Sequence, residues 1–439
     1  MNFQFSIFNF QKKQGQAALI AVILMLVIML SAVFGASAVA LKEAKVAESD
    51  RKSRLVFFGE EAAIEDAVYR SKRGKLLGSQ VTMTLNDSNV IATITTVGAA
   101  REIISTGDVL SHKRASKVVL NSSSGISFPY GVQVGNGGLE MNNNSEVRGS
   151  GGAAGNVYSN GPATGSNSAK ITGNLTIANA NSVNGLIVYG TVRANTVTNT
   201  KICGDAYYQI IDSNSINFLN SPSSPTCSAP LTPGTANPGS ANSPSAPLPI
   251  SDAQIQSWKN DAEAGGTTSG DVTVASTQTI GPRKITGKLT VTNGATLIVS
   301  GTLWVVGDIV FDNNSIIRLA SSYGSFSGVV ISDAKIGVKN NVAFSGSGDP
   351  ASFMMVVAAK NSTGEEIINA DNNSRGVIYY AGNGWIKFSN NAAAKEATAY
   401  GIRLDNNAVI TYDSGLANAQ FSSGPSGGWD IISWEEIIP

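Results

Sequence analysis

The sequence predicts a mainly β protein carried on one long N-terminal helix. Three observations predict it. Residues 17–41 (AALIAVILMLVIMLSAVFGASAVAL) hold no charge, and roughly 20 apolar residues suffice for a helix to cross a bilayer. The chain of 439 residues is poor in charge, at 14% Asp, Glu, Lys and Arg, and carries 46 Gly beside abundant Ser, Thr and Asn. That composition favours turns and short strands over helices. Beyond Pro129, short strands of Val, Ile, Leu and Thr alternate with Asn- and Gly-rich corners, as in GLIVYGTVRA and KLTVTNGATLIVSGTLWVVGDIVF. A formal net charge of zero argues against nucleic acid as a partner. The single His leaves little from which to build His-based metal or acid–base chemistry.

Lys12 and Lys13 precede the apolar span, which favours a cytoplasmic N-terminus and a C-terminal portion wholly outside. Lys42, Lys45, Arg51, Lys52 and Arg54 on the other flank oppose that orientation. Residues 42–72 contain no Pro and are mainly strong helix formers. Leu55, Phe58 and Ala62, with Phe57, Ile64 and Val68 beside them, form an apolar stripe at helical spacing. The expectation is one helix from about Gln16 to about Tyr69, with Gly35 and Gly59 as points where it bends.

The segment KKQGQAALIAVILMLVIMLS at residues 12–31 resembles the N-terminus of type IV pilins, and the PilX-type minor pilins above all. The resemblance implies a basic leader over residues 1–15, cut by a prepilin peptidase between Gly15 and Gln16. It implies a helix over residues 16–72 that sits first in the membrane and then in a filament core. It further implies pilus assembly proteins or other pilins as partners, with the C-terminal portion displayed at the cell surface. Ile20 stands at the fifth mature position, where major pilins carry Glu; PilX-type sequences often lack that Glu. A secretory signal peptide is the rival reading, with small-residue sites at Ala36-Ser37-Ala38 and Ala38-Val39-Ala40. It places the mature N-terminus at Val39 or Leu41.

Residues 73–124 read as a small antiparallel meander. The runs QVTMTLND, NVIATITTVG, AREIISTGDV and ASKVVLNSS are separated by turn signals at residues 86–89, at Gly98 and at Gly107-Asp108. His112 lies at a solvated strand end. Residues 125–439 read as a β-solenoid. ITGNLT at 171–176 returns as ITGKLT at 285–290, and LIVYGTV at 186–192 returns as LIVSGTL at 297–303. Asn pairs recur at Asn313-Asn314, Asn340-Asn341, Asn372-Asn373, Asn390-Asn391 and Asn406-Asn407. Asn accepts left-handed backbone angles at corners, and its amides can bond along a stack. These repeats resemble bactofilin and other right-handed β-helix sequences over roughly residues 130–200 and 270–420, which implies that hand for the fold.

A different segment, about 203–270, interrupts the solenoid. Residues 221–249 are Pro/Ser-rich and extended. Ser251 caps a short helix, DAQIQSWKNDAEA, that ends at Gly265-Gly266 and buries Ile255, Trp258 and Ala262. Cys203 and Cys227 bracket the start of this excursion. Their pairing in an oxidising space would close a loop of about 25 residues, contributing about 3 kcal/mol. The repeat on both sides of the interruption predicts one solenoid broken by a loop, with the C-terminal GGWDIISWEEIIP closing its last coil.

No catalytic residues, metal ligands or cofactors are expected. Asp308 and Asp312 share a strand region, but a lone pair there is more often a solvated face. Nucleophile elbow, phosphate loop and Cys/His metal cluster are all lacking from the sequence. Tyr207, Tyr208, Tyr379, Tyr380 and Trp385 are candidates for a sugar-binding surface, though such aromatics are more often packing residues. The functional expectation is a pilin-like, membrane-tethered structural or adhesive protein that contacts a surface polysaccharide or host-cell ligand. The alternative is an anchored or secreted β-helix that binds or cleaves polysaccharide.

Overall fold

The protein is described from a computed structural model covering residues 11–73, 79–85, 88–97, 100–110, 112–122, 126–224, 226–227, 231–419, 421 and 429–438. Residues 1–10 of the leader and the turn signals at 86–87 and at Gly98 lie outside the described residues.

Helix α1 spans Gln11–Arg73 as 63 residues without a break, about 95 Å at 1.5 Å per residue. It is long and apolar enough to cross a membrane, and residues 17–51 are exposed along it. It begins earlier and ends later than the sequence suggests, and neither Gly35 nor Gly59 interrupts it. Its last turns pack on an antiparallel sheet through Val56, Glu60, Ala63, Ile64, Ala67, Val68 and Ser71, all buried. That stripe is rotated from the predicted one: Phe58 faces outward at 58% exposure. Small side chains decide the contact face, because Ala63 and Ala67 let the helix approach the sheet.

The sheet orders β1 (Gln80–Leu85), β2 (Ser88–Val97), β3 (Ala100–Val109) and β4 (His112–Ser122) in sequence, all antiparallel. Gly107 is not a turn residue. It lies within β3, and a Cβ there would stand 2.9 Å from Val56 Cγ1, so its lack of a side chain admits the helix. His112 opens β4 with its Nε2 2.9 Å from Ser49 Oγ on α1. The C-terminal strand Trp429–Ile437 pairs antiparallel with β4. It therefore completes this sheet, correcting the expectation that it closes a coil.

Glu60 is fully buried under the sheet. Ser116 Oγ donates to its Oε1 at 3.0 Å, while Oε2 has no hydrogen-bond partner. Burial pushes the carboxyl up to about 7; Glu436 and Glu61 raise it further, against Ser116 and Arg114. The folded state thus holds the proton more tightly than the unfolded chain, whose carboxyl titrates near 4.5. The favourable contribution is complete below that value and is lost as pH rises towards 7. Glu60→Gln is expected to abolish this pH dependence and to stabilise the fold at pH 8 by up to about 3 kcal/mol. Urea unfolding of both proteins at pH 4.5 and pH 8 checks it; parallel losses in both would count against it.

Residues 126–421 build a stack of short parallel strands in three sets around one core. Strand β5 (Val132–Met141) begins it. Beyond β5 on the first set lie Val157–Ser159, Leu175–Ile177, Val192–Arg193, Ala206–Tyr208 and Ala236–Pro238, each pairing with the next. A second run starts at Thr267–Thr268 and proceeds through Arg283–Ile285, Leu303–Val305, Gly328–Ser332, Met354–Ala358 and Ile378–Phe388 to Glu396–Leu404. Glu396–Leu404 then pairs with β5 itself, Ala397 opposite Val132 and Leu404 opposite Met141. Val409–Asp413 meets Glu146–Ser150 in the same way. The two runs therefore abut at a seam in the middle of the stack, and the core passes through it without a gap.

The outer ends of the runs are joined by residues 239–266, of which 239–251 form a strap returning along the stack. Its carbonyls accept from successive rungs: Ser240 from Gln209 at 2.6 Å, Ser243 from the Asn179 amide at 2.8 Å, and Pro244 from Tyr158 Oη. Pro247 accepts from Gln133 at 2.7 Å, and Ile250 from Tyr380 Oη at 2.6 Å. The strap donates as well, Ser240 N–H to the Tyr208 carbonyl at 3.2 Å and Ala246 N–H to Asn160 Oδ1 at 2.9 Å, and proline is tolerated at the positions between, where no N–H is called on. The predicted interruption is thus the connection that makes the seam possible. Helix α2 (Ser213–Asn220) precedes it and buries Leu219 in the core. Helix α3 (Asp252–Ala264) follows it with the predicted Ser251 cap, burying Ile255, Trp258 and Ala262.

Corners are made by two residue types. Asn314, Asn341, Asn373, Asn391, Asn407 and Asn144 all have positive φ. Asn amides bond from rung to rung: Asn406 to Asn390 at 3.1 Å, Asn143 to Asn406 at 3.0 Å and Asn167 to Asn143 at 2.8 Å. This ladder crosses the seam. Gly columns form the other corners. ITGNLT turns from Lys170–Ile171, on the set that holds Glu146–Ser150, to Leu175–Ile177 on the first set, whereas ITGKLT turns from the first set, at Arg283–Ile285, to Leu289–Val291 on the remaining set, where it pairs with Ile309–Phe311. What repeats is therefore the corner and not the coil.

Candidate functional site

Outward-facing residues on three neighbouring strands, Glu366–Ala370, Ile378–Phe388 and Glu396–Leu404, together with the corner residues Lys335, Gly364 and Glu365, form a groove of about 390 Å³ near the seam. Strand residues alternate between core and surface, so Ile386 and Phe388 fill the core while Trp385 and Lys387 face out. The register places Trp385 beside Gly401, Lys387 beside Arg403, and Arg403 beside Glu140. Arg403 donates from Nε to Glu140 at 2.6 Å and from Nη1 to Glu366 at 2.6 Å. Glu365 accepts from Lys335 and Lys360, both at 2.8 Å. These two lysines, Lys335 first, pull the Glu365 carboxyl down to about 2, and Glu140 above all raises the Arg403 guanidinium.

The Trp385 indole is held in place. Its Nε1 donates to the Thr363 carbonyl at 3.0 Å, and Arg403 lies 5.4 Å from its ring. A Cβ on Gly401 would stand 2.5 Å from Trp385 Cδ2, so the ring lies flat over a position that has no side chain. Asn369 lines the groove, and its Oδ1 is buried without a hydrogen-bond partner.

Of the predicted aromatic surface, Trp385 alone lines this groove among the described residues. Tyr379 is fully buried in the core, Tyr380 is held by the strap, Tyr208 is 7% exposed and Tyr207 stacks under Arg193 at 3.6 Å. Asp308 and Asp312 flank opposite ends of the strand Ile309–Phe311. Asp308 accepts from the Lys335 amide at 3.0 Å and Asp312 from the Asn313 amide at 3.1 Å, so each finishes a corner. Glu140, Glu366, Asn369 and Arg403 escaped sequence reasoning. Glu140 and Arg403 are 263 residues apart, and no local pattern marks partners across a seam.

Gly15 and Gln16 lie inside the first turns of α1. Cys203 and Cys227 are joined by a disulfide with Cα atoms 5.7 Å apart, beside the end of the stack that α2 covers. Among the described residues no group of three or more His, Cys, Asp and Glu side chains is arranged to hold a metal ion.

No protein-family model matches the chain, and no curated protein matches it. Among solved structures it is similar to the competence-associated pilin ComZ from Thermus thermophilus, at 10% identity and a TM-score of 0.27, over 88% of this chain and 97% of that one. A likeness of that size carries no argument, so the reading of function rests on the features of the chain itself.

Proposed function

We propose that the protein is a pilin-like component of a surface assembly, held in the membrane by the first half of α1 and displaying the stack outside. The observation that carries this reading is the division of one unbroken helix. Residues 17–41 are uncharged and exposed, whereas the turns from Val56 to Ser71 are packed on a sheet. Exposed apolar surface of that extent needs an apolar surrounding, first lipid and then neighbouring helices. The short leader, cut between Gly15 and Gln16, belongs to the same reading, as does a minor place in a type IV pilus. The stack is read as a right-handed β-helix, since connections between parallel strands of one sheet are right-handed as a rule.

Its work is contact without turnover. A glycosidase needs a carboxylic acid whose pKa is raised; Glu365 is held at about 2 by its lysines, and Glu366 is paired with Arg403. Sequencing the mature N-terminus tests the proposal. Gln16 at the first position, with the protein in the membrane fraction, is the expected result. Val39 or Leu41 at that position would establish a cleaved signal peptide instead.

A further inference from the structure

We propose that the groove beside the seam binds a neutral saccharide, with Trp385 as the platform for a sugar ring and Asn369, Glu366 and Arg403 as partners for its hydroxyls. The inference deepens the reading of the stack as a contact surface and is independent of how the N-terminus is processed. Four features point to it. The volume of about 390 Å³ falls within the range of small-molecule sites. The indole is fixed before any ligand arrives, by Thr363 at one edge and by the bare backbone of Gly401 beneath it. A preorganised aromatic face meets the apolar face of a sugar at little entropic cost.

The third feature is Asn369. A buried acceptor without a donor is unfavourable, and a ligand hydroxyl supplies the missing donor. The fourth is the state of the charges. Glu365 is matched by Lys335 and Lys360, and Arg403 by Glu140 and Glu366. Lys387 also lies 3.9 Å from Glu366, and an ionic ligand competes with these pairs for the same groups. A neutral polyol breaks none, because each carboxylate keeps free lone pairs and Arg403 keeps further N–H groups. Gly337, on the neighbouring strand, faces open space and leaves room for more than one ring.

The test is binding of the full-length chain in detergent micelles to an array of immobilised neutral and anionic oligosaccharides. Neutral glycans are expected to give signal, with at least a tenfold fall for Trp385→Ala and for Asn369→Ala. Trp434→Ala, at an exposed position on the C-terminal strand, is expected to bind as the unaltered chain does. Thermal unfolding of each variant separates loss of the site from loss of the fold; Asn369→Ala removes only an outward side chain and decides the matter if Trp385→Ala is unstable. Three results overturn the proposal: no glycan signal, signal confined to anionic glycans, or signal that survives both groove substitutions. Mapping the N-terminus of the same preparation keeps this outcome distinct from the fate of the pilin reading.

Discussion

Trp258→Ala is expected to destabilise the stack by about 3–5 kcal/mol, the range for removing a buried Trp side chain. Trp258 is 1% exposed and lies on α3, where it packs in a second core with Val329, Ile331, Phe353, Met355 and Phe421. The Phe421 ring is 6.3 Å from it. The strap itself is held by hydrogen bonds to the rungs, each worth only about 1 kcal/mol net, and by Ile250, which is buried in the same second core with Leu248 packed against it. Its larger apolar anchor is α3, fixed further by Lys259 to Asp333 at 2.6 Å and by Glu263 to Lys284 at 2.9 Å. Loss of the indole is therefore expected to free residues 239–251 as well as to lower the unfolding midpoint. Urea denaturation with limited proteolysis of that segment checks both effects. An unchanged midpoint and an intact strap would refute the assignment of α3 as anchor.

Gly173→Ala is the second substitution expected to act strongly. A Cβ at Gly173 would stand 2.6 Å from Gly155 C and 2.7 Å from Asn156 N, both backbone atoms of the adjoining rung. Gly190 is confined in the same way by Gly173, and Gly204 by Gly190. Rungs cannot spread locally, because their spacing of about 4.8 Å is set by the ladder hydrogen bonds. The expected loss is about 3 kcal/mol, at the upper end of overpacking costs. Gly337→Ala, whose new methyl group meets nothing within 4 Å, is expected to change stability by less than about 0.5 kcal/mol. Thermal unfolding of the two variants side by side gives the comparison, and equal midpoints would remove the Gly column as a stabilising device.

Local features of the fold were legible in the sequence. The uncharged run before residues 42–72 gave the helix, the Ser251 cap and the spacing of Ile255, Trp258 and Ala262 gave α3, and the Asn pairs gave the corners and their ladder. Each is written in adjacent residues. The seam is not, because inward alternation in a strand says which side chains enter the core but not which rung they rest on. Val132 has the same local pattern whether Val157 alone or both Val157 and Ala397 lie beside it. The same ambiguity made ITGNLT and ITGKLT look like equivalent coil positions. For α1 the sequence showed an apolar stripe, and the choice of contact face fell to Ala63, Ala67 and Gly107, where absence of bulk outweighs hydrophobicity. The groove was half legible: Trp385 stood out, while the Arg403 network depends on pairing across 263 residues.

The seam also orders the life of the chain. Ribosomes deliver β5 long before Glu396–Leu404, so the first rung waits with one edge open while some 260 further residues are made. An open parallel edge is a template for pairing with another chain. A chain cut short before its closing rungs keeps that edge bare and open to pairing with other chains. Completion of the last rungs hides both inner edges at once, and the strand Trp429–Ile437 then joins the stem sheet. The strand Trp429–Ile437 thus ties the last rungs to the same sheet on which α1 packs, so closure of the seam and completion of that sheet depend on one stretch of chain.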